Sequence, residues 1–187
     1  MTSRPFEAVL HVEPAIRWTR ALAPLHPDPA VEGWLTEPGL VTERVRRHCG
    51  GEFGLRVVDE RHDVLSAADA AALGVTDLSA FVREIELTCD DTACVFAQTL
   101  VPAATLAAEP WLALLGRDAI GSRLASLGGA VRDPLEFARL TPSDALFARA
   151  ARDLPVVPPA LWARRARYRL ATHCLVVQEV FLPGALS

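Results

Sequence analysis

Ser79-Ala80-Phe81-Val82-Arg83-Glu84-Ile85-Glu86-Leu87-Thr88-Cys89, then Asp90-Asp91-Thr92-Ala93, then Cys94-Val95-Phe96-Ala97-Gln98-Thr99-Leu100-Val101, is the stretch that decides the fold. Two runs rich in β-branched and aromatic residues flank a short polar turn, and Pro102 closes the second run. Such a pattern predicts an antiparallel hairpin. A second hairpin is expected near the other end. There Arg164 to Ala171 and Cys174 to Leu182 read as strands joined by a tight turn at Thr172-His173. Hairpins imply an antiparallel sheet and an α+β domain.

Weaker patterns fill in the rest. Phe53 to Glu60 reads as a first strand, and Val131 to Leu140 as another, with Pro134 at a bulge or edge. About six strands result. Helices are expected at Ala30 to Leu35, Leu40 to Cys49, Ser66 to Leu73, Thr105 to Leu115, Ala119 to Leu127 and Pro142 to Arg152. Gly50-Gly51 and Gly74 are plausible helix stops. Residues 1–30 carry five prolines and read as an extended arm, with a short helical piece at Trp18 to Leu22. Residues 31–187 form the domain proper.

Two strands carry a charge where an apolar core would have none. Side chains two apart in a strand share a face. Alternation therefore groups Arg83 with Phe81, Ile85 and Leu87, and Glu179 with Leu175, Val177 and Phe181. Burying one charge alone costs several kcal/mol, so such groups are paired or bind a ligand. Alternation alone leaves both readings open: a structural Arg–Glu pair, or a functional site. Arg165, Arg167 and Arg169 share a face as well. They read as an anion site or, preferably, as the solvated outer face of an edge or one-sided strand.

The bulk numbers exclude several classes. The chain has 187 residues, 51% hydrophobic and 22% charged, enough for one domain with a real core. The net charge is −4, there is no lysine, and no basic run occurs, which argues against nucleic acid or an anionic membrane as partner. The N-terminus has no apolar h-region, and no apolar run approaches the roughly 20 residues of a membrane span. A cytoplasmic protein is expected, with Cys49, Cys89, Cys94 and Cys174 as reduced thiols. Their spacing is not that of a zinc site. His173 and Cys174 are strand neighbours and point to opposite faces, so they make no catalytic pair. Phosphate-binding glycine motifs and the Gly-x-Ser-x-Gly nucleophile motif are absent.

The closing residues carry a resemblance. Trp162-Ala163-Arg164-Arg165-Ala166-Arg167-Tyr168-Arg169-Leu170, followed by Val177-Gln178-Glu179-Val180-Phe181-Leu182-Pro183, resembles the C-terminal signature of the chorismate pyruvate-lyase family. Phe81-Val82-Arg83-Glu84-Ile85 resembles its aromatic-x-Arg-Glu-Ile strand, and Thr99-Leu100-Val101-Pro102 its Thr-Val-Val-Pro. Leu115-Gly116-Arg117-Asp118-Ala119-Ile120-Gly121 resembles its Leu-Gly-x-x-Pro-Leu-Gly, and Trp34-Leu35 with Val41-Thr42-Glu43-Arg44 its N-terminal segments. The resemblance covers residues from about 30 onward.

It implies a six-stranded antiparallel sheet with helical flaps over a buried pocket. It also implies an enzyme that converts chorismate to 4-hydroxybenzoate and pyruvate, the first step of ubiquinone synthesis, without cofactor or metal. Carried over, Arg83 and Glu179 hold the ligand's polar ends as catalytic and substrate-binding residues. Backbone groups of Val41 and Ile120 complete the substrate site. The partner is then a small molecule bound by a monomer, with no nucleic acid and no membrane insertion. Two departures stand out. Gln98 replaces a frequent family arginine and, on a face with Cys94, Phe96 and Leu100, is expected at the pocket wall. Thr141 to Pro159 is longer than usual and is expected to alter a flap. Two alternatives remain: a non-catalytic sensor of small aromatic acids on the same fold, and a related enzyme yielding a different hydroxybenzoate.

Overall fold

The computed structural model describes residues 15–186. Seven strands form one antiparallel sheet: β1 (Phe53–Val64), β2 (Ser79–Cys89), β3 (Thr92–Pro102), β4 (Ala130–Arg132), β5 (Glu136–Leu140), β6 (Leu161–Leu170) and β7 (His173–Phe181). The order is β1-β2-β3-β7-β6-β4, with β5 also paired to β6. The two expected hairpins, β2–β3 and β6–β7, lie side by side through β3 and β7.

Seven strands stand where six were expected because Pro134 splits the run Val131 to Leu140. β4 pairs with the Tyr168–Leu170 end of β6, and β5 with its Leu161–Arg165 end. Proline lacks the N–H that a continuous ladder would need. β1 runs four residues past its expected end. A bulge between Val57 and Asp59 reverses the alternation, which hides the strand's second half. β6 has strands on both sides and is no edge. Arg165 pairs with Glu136, and Arg167 and Arg169 with Asp133, so this row is neither a free anion site nor a bare solvated face. These two arginines hold the Asp133 carboxyl below its usual range, chiefly through the Arg167 hydrogen bond.

Helices cover both faces. α1 (Pro29–Leu35), α2 (Val41–His48) and α5 (Ile120–Ser126) pack on one face, against Ile85, Leu87, Phe81, Val177 and Phe181. α3 (Ala67–Leu73) and α6 (Ala145–Ala150) pack on the other, against Val82, Leu100, Phe96 and Val180. α4 (Ala103–Ala108) follows β3, and α7 (Pro183–Leu186) follows β7. The helix expected over Thr105 to Leu115 breaks at Pro110, where a 3-10 turn begins. Trp18 to Leu22 is not helical. Thr19 bridges Phe137 instead, and a 3-10 turn follows at Ala23–Leu25 around Pro24. The part of the expected arm in residues 1–14 lies outside the described residues.

Three further features depart from the expected ones. Cys49 and Cys89 form a disulfide rather than two free thiols. Cys49 ends α2, and Cys89 ends β2 where the hairpin turn begins, so the fold brings their Cα atoms to 5.4 Å. Thr141 to Pro159 alters no flap over the first face. It carries α6, whose Leu146, Phe147 and Ala150 pack on the opposite face. Gln98 also lies on that opposite face, beside Glu84 and Gln178.

Glu84 anchors this second face. It is fully buried. It accepts from Arg149 Nε at 3.0 and 3.1 Å and from Gln98 Nε2 at 2.9 Å, and lies 3.2 Å from Arg61. Arg61 and Arg149 both also bind Asp59. Removing one member of a buried charge cluster strands the others. Glu84→Leu should cost about 3 kcal/mol of stability, read from urea unfolding at neutral pH. Closing a 40-residue loop should contribute up to about 4 kcal/mol through chain entropy. Cys49→Ser should therefore lower stability by about 2–4 kcal/mol. A thiol reductant should bring the wild type to the same urea midpoint and leave the variant unmoved.

Candidate functional site

The first face holds a cavity between the sheet and the N-termini of two helices. One row of the register crosses four strands as Ile85, Ala97, Glu179 and Arg164. A second row places Tyr168 directly opposite Arg132. Leu40, Val41, Ala119 and Ile120 roof these residues, leaving a small cavity of about 40 Å³ that opens in part to solvent.

Glu179 projects from β7 into this cavity, its side chain about one-fifth exposed. Its Oε2 accepts from Arg164 Nε at 2.6 Å. Arg164 is 2% exposed, and its Nη1 also donates to Glu37 O at 2.8 Å and Leu35 O at 3.3 Å. Leu35 ends α1, where helix carbonyls lack internal partners. A single guanidinium therefore binds a carboxylate of the sheet, the last carbonyl of a helix and a carbonyl of the loop that follows it. Glu37 continues the arrangement. Its carboxylate accepts from Arg44 at 3.0 Å, Gly39 N at 3.1 Å and Arg47 at 3.2 Å. Burial opposes the charge, yet these donors hold the Glu37 carboxyl below its ordinary range. They fix the loop that delivers Val41.

Val41 and Ile120 are the first residues of α2 and α5, and both line the cavity. Leu40 and Ala119, the residues before them, offer no side-chain cap. First-turn N–H groups have no partner within the helix, and the helix dipole favours negative charge there. Two such ends over one cavity suit an anionic or hydroxyl-bearing ligand.

Arg83 lies on the same face, beside Thr99 and one register step from Ile85. It is 2% exposed. Its Nε donates to Glu60 Oε1 at 2.8 Å and its Nη2 to Gly116 O at 2.6 Å. Arg83 and Glu179 therefore do not pair with each other, and each has its own counter-ion. Val41, Ile120 and Glu179 meet at the cavity, whereas Arg83 stands at its β2 side, under the loop that leads into α5.

Three cavity residues escaped the reading by alternation. Arg164 and Tyr168 share the inner face of β6 with Trp162, Ala166 and Leu170. Alternation marks Arg164 as it marks Glu179, as a charge on an inner face, but the outward Arg165, Arg167 and Arg169 mask it. Burial raises the Tyr168 phenol above its usual range, and the nearby Glu179 charge adds to this. Arg132 sits in a three-residue strand, too short for any alternation. Gln98 is not a wall of this cavity, so it gives no reason to expect a different aromatic product. Among the described residues, no group of histidine, cysteine, aspartate and glutamate side chains is arranged to hold a metal ion. No helix there is long and apolar enough to cross a membrane.

Comparison with known proteins gives the family and the fold. The model of the family described as chorismate lyase matches residues 14–186. A probable chorismate pyruvate-lyase of Nitrosospira multiformis is 36% identical over 168 residues, covering 88% of this chain and 93% of that protein. One from Dechloromonas aromatica is 35% identical, covering 90% of this chain and 95% of that protein. Among solved structures, the effector domain of PhnF from Mycobacterium smegmatis shares the fold with a TM-score of 0.56 at 19% identity, covering 78% of this chain and 89% of that one. A GntR-family transcriptional regulator from Bacillus cereus gives 0.52 at 14% identity, covering 71% and 93%. With a match that runs from the first described residues to the last, the chain belongs to the chorismate lyase family.

Proposed function

We propose that this protein is a chorismate pyruvate-lyase that releases 4-hydroxybenzoate and pyruvate from chorismate. The observation that carries the reading is the meeting of the Glu179 carboxylate with the uncapped helix ends at Val41 and Ile120, in a chain of this family. By the family resemblance, the reaction opens ubiquinone synthesis in the cytoplasm.

Chorismate bears a ring carboxylate, a hydroxyl and an enolpyruvyl ether on the neighbouring ring carbon. In the elimination, the proton on the hydroxyl-bearing carbon leaves. Its electron pair completes the aromatic ring, and the ether bond to the next carbon breaks. The departing enolpyruvate takes up a proton and becomes pyruvate. Aromatisation makes the step downhill, so positioning and one base are sufficient.

Glu179 is the candidate to bind the ring hydroxyl and take the adjacent proton. Its bond to Arg164 fixes the carboxylate in the cavity. Arg83 is the candidate for the ring carboxylate, exchanging part of its bonding to Glu60 and Gly116 O. An arginine binds a carboxylate best through two parallel hydrogen bonds. N–H groups at Val41 and Ile120 complete the polar shell, and their helices exclude water.

Purified protein incubated with chorismate and no added metal should yield equal amounts of 4-hydroxybenzoate and pyruvate. Saturable binding of 4-hydroxybenzoate with no turnover would instead assign a sensor role. Glu179→Gln should lower kcat by about 10²–10⁴-fold when assayed well below its melting temperature, which should itself fall because buried Arg164 loses its counter-ion. Near-normal turnover would make Glu179 a binder only. Arg83→Gln should raise KM for chorismate more than it lowers kcat, and unchanged affinity would remove Arg83 from the carboxylate role.

A further inference from the structure

Chorismate carries two carboxylates, and the proposed site accounts for only one. The second, on the enolpyruvyl group, would enter the same partly dehydrated cavity. An unpaired carboxylate is strongly disfavoured there. The described residues place three guanidinium groups on or beside this cavity. Arg83 is paired with Glu60, and Arg164 with Glu179. Arg132 differs. Its Nη2 donates to the neutral carbonyl of Pro38 at 2.9 Å, and no carboxylate of the described residues forms an ion pair with it.

Its position fits a role in ligand capture. The β4–β6 register sets Arg132 across from Tyr168. Both residues line the inner cavity, and both line a shallower pocket outside it, along with Pro38, Leu40, Gly121 and Leu124. Arg132 thus stands at the mouth, on the opposite side of the cavity from Arg83. The mouth is narrow. A Cβ at Gly121 would lie 3.2 Å from Leu40 Cδ2. The bond from Arg132 to Pro38 O joins the sheet to the loop before α2 across this opening.

We propose that Arg132 binds the enolpyruvyl carboxylate of the substrate, giving up the Pro38 carbonyl to do so. The inference rests on the lyase reading above. A carboxylate is the stronger partner, because charge-assisted hydrogen bonds are roughly twice as strong as neutral ones. The exchange has a consequence for turnover. After ether cleavage, the carboxylate that Arg132 holds belongs to pyruvate, and 4-hydroxybenzoate retains none of it. Arg132 therefore separates substrate from aromatic product. It contributes to binding of the dianion and contributes little to retention of the monoanion.

The test compares wild type, Arg132→Gln and Arg132→Lys. Arg132→Gln should raise KM for chorismate by about 10- to 100-fold, the range of one hydrogen bond to a charged group. The calorimetric Kd for 4-hydroxybenzoate should change by less than about twofold, because a monoanion without the enolpyruvyl group loses no bond to Arg132. Arg132→Lys should recover part of the loss, since it keeps the charge without the fork. An unchanged KM, or a parallel rise in KM and product Kd, would overturn the assignment. If the wild type binds chorismate without converting it, the lyase reading fails while calorimetry still decides this one. Selective loss of chorismate binding in Arg132→Gln would support it, and equal or absent loss would overturn it. A wild type that does not bind chorismate would overturn both.

Discussion

The buried guanidinium of Arg164 is the joint on which the arrangement of the site depends. Apolar packing lays α1 against Phe181 of β7, and this cation ties the β7 carboxylate to the carbonyls at and just after the end of α1. The sheet supplies a rigid floor, since Arg164 and Glu179 are direct partners in the ladder. The helical layer supplies carbonyls that its own geometry leaves unsatisfied. Arg164 joins the two, and the loop that follows is then fixed by Glu37 and its three donors. Its stability contribution is secondary. A buried ion pair of this kind contributes little net energy against apolar packing, but removing one partner is costly. Its function is to hold the carboxylate and the helix end in register with each other.

The sheet also divides the molecule by role. One face carries the cavity and its polar row. The other carries a closed electrostatic cluster centred on Glu84, with α6 docked through Arg149. Arg83 and Glu84 are sequence neighbours, yet they serve opposite faces because a strand alternates. That division explains why Gln98, one residue from Ala97 on the cavity floor, has no access to the cavity.

Much of the fold was legible because hairpins are local. β2, β3, β6 and β7 announce themselves through alternating large residues and short polar turns, and both hairpins lie where the pattern puts them. Alternation also placed Arg83 and Glu179 on inner faces, and both lie on the cavity side. What stayed hidden depends on information that alternation does not carry. The bulge in β1 changes phase, so its polar second half resembles a loop. β4 is three residues long. The Cys49–Cys89 bond joins residues 40 apart, and no local pattern marks which cysteine meets which. Arg164 was obscured by three arginines that alternate in the opposite phase. The family resemblance supplied Val41 and Ile120, whose proposed role lies in backbone groups that no side-chain pattern can reveal.

The disulfide also sets the mechanics of the roof. α2 has eight residues, so it is about 12 Å long. Its far end is tied covalently to β2, while its near end, beside the cavity, is held by hydrogen bonds and apolar packing. A rod pinned at one end opens as a lever. Swinging α2 by about 10° around Cys49 would carry Val41 through roughly 2 Å while its last turn stays nearly still. With the far end unable to yield, any such swing must break the bonds that Gly39 and Arg44 make to Glu37.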